Sequence, residues 1–209
     1  MKILHIDCSP RENSQSRKLS AEIVARLLKD HPNASVTHCD LGKNPLPHAE
    51  ADYAETLSAP RALTPELASA ATTLSERLIR EVEAADTLVI GTPMNNFTVP
   101  SVLKAWIDQI LRVGRTIGIV PTGEKVGLLE DKPVYIGIAS GGVFTGERAK
   151  QPDFLTPYLR AALGCIGLKS LQFFPLQATA FLDSEKLEAD RGVLVASIDT
   201  TIFPFKERA

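Results

Sequence analysis

The sequence predicts an α/β fold built on a doubly wound parallel sheet, on three observations. Strand-like and helix-like segments alternate five times along the 209 residues. Two of the strand candidates, Asp86-Thr87-Leu88-Val89-Ile90-Gly91 and Val134 to Ala139, are short continuous apolar runs, as expected of strands buried on both faces. The segments between strands carry apolar residues at helical spacing.

Residues 2–7 read as the first strand, and roughly 15–29 as a helix with Leu19, Ile23, Leu27 and Leu28 on one face. Ala34 to Cys39 reads as the second strand. From Gly42 to about Leu63 runs a long connection punctuated by Pro45, Pro47 and Pro60, either a functional flap or a covering loop. Thr64-Pro65-Glu66 has the signature of a helix start, threonine at the N-cap and proline in the first turn. That helix is expected to reach about Ala84, with Leu67, Leu74, Leu78 and Ile79 inward. Asp86 to Gly91 forms the third strand, and Val99 to Val113 a helix through Val102, Leu103, Trp106, Ile107 and Ile110. Val134 to Ala139 is the fourth strand, Phe154 to Leu163 a helix, Leu171 to Phe174 the fifth strand, and Ser184 to about Phe203 a closing helix. With no repeat, low-complexity tract or linker, residues 1–209 read as one domain.

Composition narrows the function classes. The chain is 44% hydrophobic and 23% charged, with a net charge of −2, so it carries no electrostatic footprint for nucleic acid. Met1 to Asp7 is too short and too soon acidic for a signal peptide, and no apolar run is long enough to span a bilayer. The expected compartment is the cytoplasm. Cys8, Cys39 and Cys165 are odd in number and far apart, as buried free thiols would be. His5, His31, His38 and His48 show no metal-ligand spacing, and no metal is expected.

Ligands of open parallel sheets bind outside the carboxyl ends of the strands, where strand order reverses. Three strand-end loops have unusual compositions. Cys8-Ser9-Pro10-Arg11-Glu12-Asn13-Ser14-Gln15-Ser16 links the first strand to a helix N-terminus, whose free N–H groups favour a phosphate. Ser9, Ser14 and Ser16 add hydroxyl donors, and the glycine fingerprints of dinucleotide folds and P-loops are missing. A phosphate monoester such as that of FMN fits this loop; a plain helix cap at Ser14 or Ser16 fits it equally. After the third strand comes Thr92-Pro93-Met94-Asn95-Asn96-Phe97-Thr98-Val99-Pro100, offering amides at Asn95 and Asn96 and apolar faces at Met94 and Phe97 for a planar heterocycle. After the fourth comes Ala139-Ser140-Gly141-Gly142-Val143-Phe144, whose glycines let backbone approach a flat ligand. In the strand order 2-1-3-4-5 these three loops line one crevice.

Taken together, the Ser9…Ser14-Gln15-Ser16 loop, Pro93-Met94-Asn95-Asn96-Phe97 and the Pro100–Asp108 helix resemble the FMN-dependent NADH-azoreductases. So do Arg112-Val113-Gly114-Arg115-Thr116, the Gly141–Gly142 turn and Leu155–Gly167. The resemblance spans almost the whole chain in order. It implies a flavodoxin-like fold, bound FMN and a homodimer with two flavin sites near the interface. It also implies NAD(P)H-dependent reduction of quinones and azo compounds. The expected route is a ping-pong hydride relay from NADH or NADPH, in which the cofactor carries the hard chemistry and no side-chain nucleophile is required. Residue by residue, the resemblance assigns Ser9, Ser14, Gln15 and Ser16 to the phosphate and ribityl chain, and Met94, Asn95, Asn96 and Phe97 to the isoalloxazine. Ala139, Ser140, Gly141 and Gly142 fall at the ring's other edge. The chain departs from the family at Asn95, where tyrosine is common, at Ala139-Ser140, and at Ile117-Gly118-Ile119, positions that shape the substrate face.

Two other readings share parts of this pattern. A flavodoxin-like single-electron carrier would use the same FMN site, but such carriers are usually strongly acidic. A carrier-protein phosphodiesterase needs a metal cluster or an activated nucleophile, and the chain has no G-x-S-x-G elbow.

Overall fold

A computed structural model describes residues 1–58 and 65–200, with the backbone alone at 65–68. The strands of the main sheet are β1 (Lys2–Asp7), β2 (Ser35–Asp40), β3 (Thr87–Pro93), β6 (Val134–Ala139) and β7 (Leu171–Leu176), and β4 (Ile117–Ile119) and β5 (Lys125–Gly127) form a separate hairpin. The helices are α1 (Gln15–Asp30), α2 (Ala51–Ser58), α3 (Pro65–Ala84), α4 (Ser101–Ile110), α5 (Leu155–Cys165) and α6 (Ser184–Ala196). The main sheet is parallel throughout, in the order β2-β1-β3-β6-β7. This is the flavodoxin-like α/β fold, a five-stranded parallel sheet flanked by helices.

Alternation along the strands divides the core in two. Leu4, Ile6, Leu88, Ile90, Ile136 and Ile138 face the layer containing α3, α4 and α5. Ile3, Val89 and Tyr135 face Leu19, Ile23 and Leu27 of α1 and Leu187 of α6. Trp106 lies fully within the first layer, a core residue rather than a surface one.

The elements begin where local chemistry satisfies free N–H groups. Ser14 caps α1, its hydroxyl oxygen accepting from Arg17 N; Asp183 caps α6 by accepting from Lys186 N at 2.8 Å. Asp153 Oδ1 accepts from the N–H groups of Leu155 and Thr156 at the start of α5. The Thr64 cap and the inward Leu67 lie outside the described residues and side chains.

Several boundaries differ from the sequence reading. The Pro-punctuated connection contains a helix, α2, anchored by buried Tyr53, whose hydroxyl donates to Asp108 O at 3.1 Å. The helix expected to reach Val113 stops at Ile110, because the Thr116 hydroxyl donates to Ile110 O at 2.6 Å and accepts from Arg112 N at 3.0 Å. The β4–β5 hairpin was not expected; its strands are only three residues each. Strand β7 continues through Pro175 to Leu176, since an edge strand needs no N–H on its outer side. Helix α6 ends at Ala196, not near Phe203, with the Ser197 hydroxyl donating to Leu194 O; residues 201–203 lie outside the described residues.

The turn after α4 is pinned to α3 by charge. Glu76 accepts from Arg115 Nε at 3.0 Å, Arg80 Nε at 3.1 Å and Arg112 Nη2 at 2.9 Å. The Arg115 guanidinium, with help from Arg80 and Arg112, outweighs desolvation and holds the Glu76 carboxyl down to about 2. A carboxyl lowered by folding stabilises the fold fully above its ordinary value near 4.5, and that stabilisation is lost as pH falls through about 2. Glu76→Gln therefore lowers the melting temperature at neutral pH and flattens its decline between pH 4.5 and 2. Thermal melts of both proteins across that range check this; parallel curves would remove Glu76 from the acid response.

Candidate active site

The carboxyl ends of β1, β3 and β6 finish side by side. Asp7 pairs with Gly91 and Pro93 with Ala139, and beyond them Cys8 N donates to Gly91 O and Met94 N to Ala139 O, both at 2.9 Å. The three loops singled out in the sequence therefore leave the sheet at one edge and in one direction.

At the first loop, Ser14 serves as the cap of α1, its hydroxyl oxygen accepting from Arg17 N at 3.3 Å while its hydrogen can go to Ser16 Oγ or to a ligand. The N–H groups of Gln15 and Ser16, at the first two helical positions, find no acceptor among the described residues. Ser9 and Ser14 are both buried at 3% exposure, whereas Ser16 is sealed completely, its hydroxyl 3.2 Å from Ser14 Oγ. Ser16 thus supports Ser14 from beneath. The Gln15 side chain turns away, its Oε1 accepting from Arg191 Nη1 at 2.8 Å.

Arg17, in the first turn of α1, does not point at the loop's N–H groups. Its Nε donates to Ser9 O at 2.8 Å, its Nη2 pairs with Asp40 Oδ1, and its Nη1 lies 2.9 Å from Asp40 Oδ2 and 3.4 Å from Asp7 Oδ2. The guanidinium holds the Asp40 carboxyl below the usual carboxylate range. One side chain so ties the end of β1, the end of β2 and the start of the loop together. Gly42 makes room for this tie, since a Cβ there would stand 2.1 Å from Ser9 O and 2.9 Å from Arg17 Nη2; a Cβ at Gly91 would stand 2.5 Å from Ser20 Oγ and 2.8 Å from Asp7 Oδ1.

The second loop holds a tight reversal. Asn95 and Thr98 exchange N–H···O bonds at 3.0 Å, and the two residues between them, Asn96 and Phe97, have φ of +48° and +71°. Two successive left-handed residues make a type I′ turn. Asparagine tolerates that region; phenylalanine there costs about 1–2 kcal/mol. Asn95, Asn96 and Phe97 are all exposed, Phe97 at 44%, so the strain is not repaid by burial in the described structure. Phe97 O accepts from Phe154 N at 3.0 Å, which fixes the turn against the start of α5.

The third loop is clamped from below. Gln151 Nε2 donates to Ser140 Oγ at 3.1 Å and lies 3.2 Å from Met94 Sδ, joining the second and third loops. Gly142 is required by that clasp, since a Cβ would stand 2.3 Å from Gln151 Oε1. Gln177 Oε1 accepts from Phe144 N and Thr145 N, and Thr179 donates to Ser140 O from both N and Oγ1. Ala139 and Ser140 are buried, and Gly141 is exposed. Sequence reasoning missed Arg17, Asp40, Gln151, Gln177 and Thr179. Asp40, a carboxylate ending a strand beside the phosphate loop, carried a signal; Gln151 and Gln177 lie in aperiodic segments and carried none.

These residues fit a flavin mononucleotide. Unsatisfied N–H groups and neutral hydroxyls stand at a helix N-terminus, and exposed amides and an aromatic ring occupy a strained turn one strand away. A clasped, glycine-containing turn closes the far side.

Comparison with known proteins agrees with this geometry. The family profile for the flavodoxin-like fold matches residues 1–198. An FMN-dependent NADH:quinone oxidoreductase of Pseudomonas fluorescens is 47% identical over 193 residues, which cover 92% of this chain and 89% of the relative. Among solved structures, the azoreductase of Bacillus anthracis str. Sterne superposes with a TM-score of 0.80 at 27% identity, covering 94% of this chain and 95% of that one. An FMN-dependent NADH-azoreductase of Bacillus anthracis str. Ames Ancestor, solved in complex with FMN, gives 0.78 at 25% identity, covering 93% and 96%. The chain belongs to the family of FMN-dependent NADH:quinone oxidoreductases and azoreductases, built on the flavodoxin-like fold.

Proposed function

We propose that this protein oxidises NAD(P)H and reduces quinones and azo compounds at FMN held in the crevice above β1, β3 and β6. The observation that carries this reading is the meeting of three chemically different loops at one sheet edge. Bound FMN supplies the hydride relay between the two substrates.

The chain's own residues bind and orient. The Gln15 and Ser16 N–H groups, with the Ser9 and Ser14 hydroxyls, receive the phosphate through neutral donors and the α1 dipole. Met94, Asn95, Asn96 and Phe97 meet one edge and face of the ring, and Ala139, Ser140, Gly141 and Gly142 meet the other edge. Backbone donors there favour the extra negative charge of the reduced ring. Residues 1–209 act as one domain in the cytoplasm, and two copies pair as a homodimer with the flavins near the interface. Among the described residues no helix is long and apolar enough to cross a membrane.

The purified protein is expected to be yellow, to bleach on anaerobic addition of NADH, and to regain its oxidised-flavin band when a quinone is added. A colourless protein that takes up no FMN would defeat the reading.

Ser14→Asp separates the cap from the phosphate site. Aspartate caps a helix as well as serine and suits the dipole, so the flavin-free melting temperature holds, while its charge expels the phosphate. Retention of FMN after gel filtration of this variant would show that Ser14 is only a cap.

Phe97→Gly removes left-handed strain and little buried surface, leaving flavin-free stability within about 1 kcal/mol of the parent. Turnover of quinone relative to its KM should drop roughly threefold to tenfold, the size of one aromatic contact. Steady-state kinetics at saturating NADH measure it, and unaltered kinetics would take Phe97 out of the site.

A further inference from the structure

Outside the flavin crevice, strand register assembles a second group of ligand-type side chains. β1 and β2 pair with His5 opposite His38 and Asp7 opposite Asp40. Residues two apart on a strand share a face, so both imidazoles and the Asp7 carboxylate stand on the α1 side of the sheet. The three donor groups lie within 4.8 Å of one another. His38 Nε2 is 3.0 Å from Asp7 Oδ2, and His5 Nε2 is 3.6 Å from Asp7 Oδ1.

His5 is the telling member. It is 9% exposed, yet among the described residues its Nε2 has no hydrogen-bond partner, and the 3.6 Å to Asp7 is too long for one. A buried nitrogen left unsatisfied costs about 1–3 kcal/mol and calls for an explanation.

We propose that His5 Nε2, His38 Nε2 and the Asp7 carboxylate bind a divalent transition-metal ion of borderline softness, Zn²⁺ being the best fit. Two donor atoms each about 2.1 Å from a shared ion stand about 3.0 Å apart at 90° and about 3.4 Å apart at the tetrahedral angle. The contacts of His38 to Asp7 Oδ2, 3.0 Å, and of His5 to Asp7 Oδ1, 3.6 Å, are close to those values and reach the two oxygens of one carboxylate, so Asp7 would meet the ion through both oxygens or after a small rotation. The remaining contraction falls to His38, whose side chain is 47% exposed on the edge strand β2, and the same exposure leaves a coordination position for water. Two imidazoles and one carboxylate suit Zn²⁺, and the nitrogen donors disfavour Ca²⁺ and Mg²⁺.

The surroundings support the ion. Ser20 Oγ donates to Asp7 Oδ1 at 2.8 Å and fixes the carboxylate, the usual task of an outer partner. Burial pushes the Asp7 carboxyl up, but neighbouring His5, His38 and Ser20 outweigh it and keep the group ionised. The nearby Arg17 cation is bidentate on Asp40 and only 3.4 Å from Asp7. Two carboxylates against one guanidinium leave one negative charge for a dication. Sequence spacing indicated no metal because the donors sit on two strands, 31 residues apart, and meet only through parallel pairing.

The FMN-loaded protein, treated with EDTA, dialysed and titrated with Zn²⁺ by calorimetry, tests this without any reference to turnover. The parent should bind one equivalent, His38→Ala should bind at least about 100-fold more weakly, and His48→Ala, altering an exposed histidine elsewhere, should match the parent. Co²⁺ in place of Zn²⁺ should give visible bands from the parent that His38→Ala abolishes. No one-to-one binding in the parent, equal affinity in His38→Ala, or loss in His48→Ala would each overturn the proposal.

Discussion

The structure depends on how closely α1 can lie against the middle of the parallel sheet. Gly91 on β3 leaves the space into which Ser20 and Asp7 reach, and the Ser20 hydroxyl joins helix to strand there at 2.8 Å. With α1 seated in this way, its N-terminus stands over the carboxyl end of β1 rather than above the sheet. Ser14 can then be both a helix cap and a ligand donor. A side chain at position 91 would lift the helix, and the phosphate donors would separate from the amides of the 92–100 loop. The closeness of one helix to one strand thus sets the geometry of a site that neither contains alone.

The same seating determines how charge is used. A phosphate loop invites a cation, and Arg17 stands in the first turn of α1, yet its guanidinium is consumed by Asp40, the Ser9 carbonyl and, more distantly, Asp7. The buried Asp7 and half-buried Asp40 carboxylates explain this. A charge in the interior is tolerated only when paired and hydrogen-bonded, and removing Arg17 would leave two strand-end carboxylates facing each other. In the proposed function the phosphate falls to N–H groups, hydroxyls and the helix dipole, the donors that the serine-rich, glycine-poor loop offers. Arg17 positions that loop through the Ser9 carbonyl and need not touch the ligand.

Most of the fold was legible because parallel strands announce themselves as apolar runs: Leu88–Ile90 and Val134–Ile138 could be read with little ambiguity. The failures have local causes. Strands β4 and β5 are too short to show periodicity, α2 hides in a proline-rich connection, and α4 is cut short by a hydroxyl six residues beyond its last residue. At the site, the loops could be placed from strand order alone, but their fastenings could not. Gln151 and Gln177 act through single amide groups in aperiodic chain, and nothing in a sequence distinguishes such a glutamine from a solvated one. His5 and His38 teach the same lesson at the level of register: they are neighbours only because β1 and β2 pair without a slip.

The strained turn at Asn96–Phe97 shows why those fastenings matter. A type I′ reversal with phenylalanine at its second central position would relax toward a cheaper backbone if it were free. It is held on three sides, by the paired Asn95–Thr98 bonds, by Phe154 N donating to Phe97 O, and by Gln151 linking Met94 to Ser140. The outcome is an ordered turn backbone that presents an aromatic ring and two amides outside the sheet edge. Backbone already ordered before a ligand arrives loses less entropy when it binds, so in the proposed function the strain carried by this turn would become affinity at the ring. Glycine at position 97 would be the easier residue for the backbone; the phenylalanine there makes sense only if its side chain has something to meet.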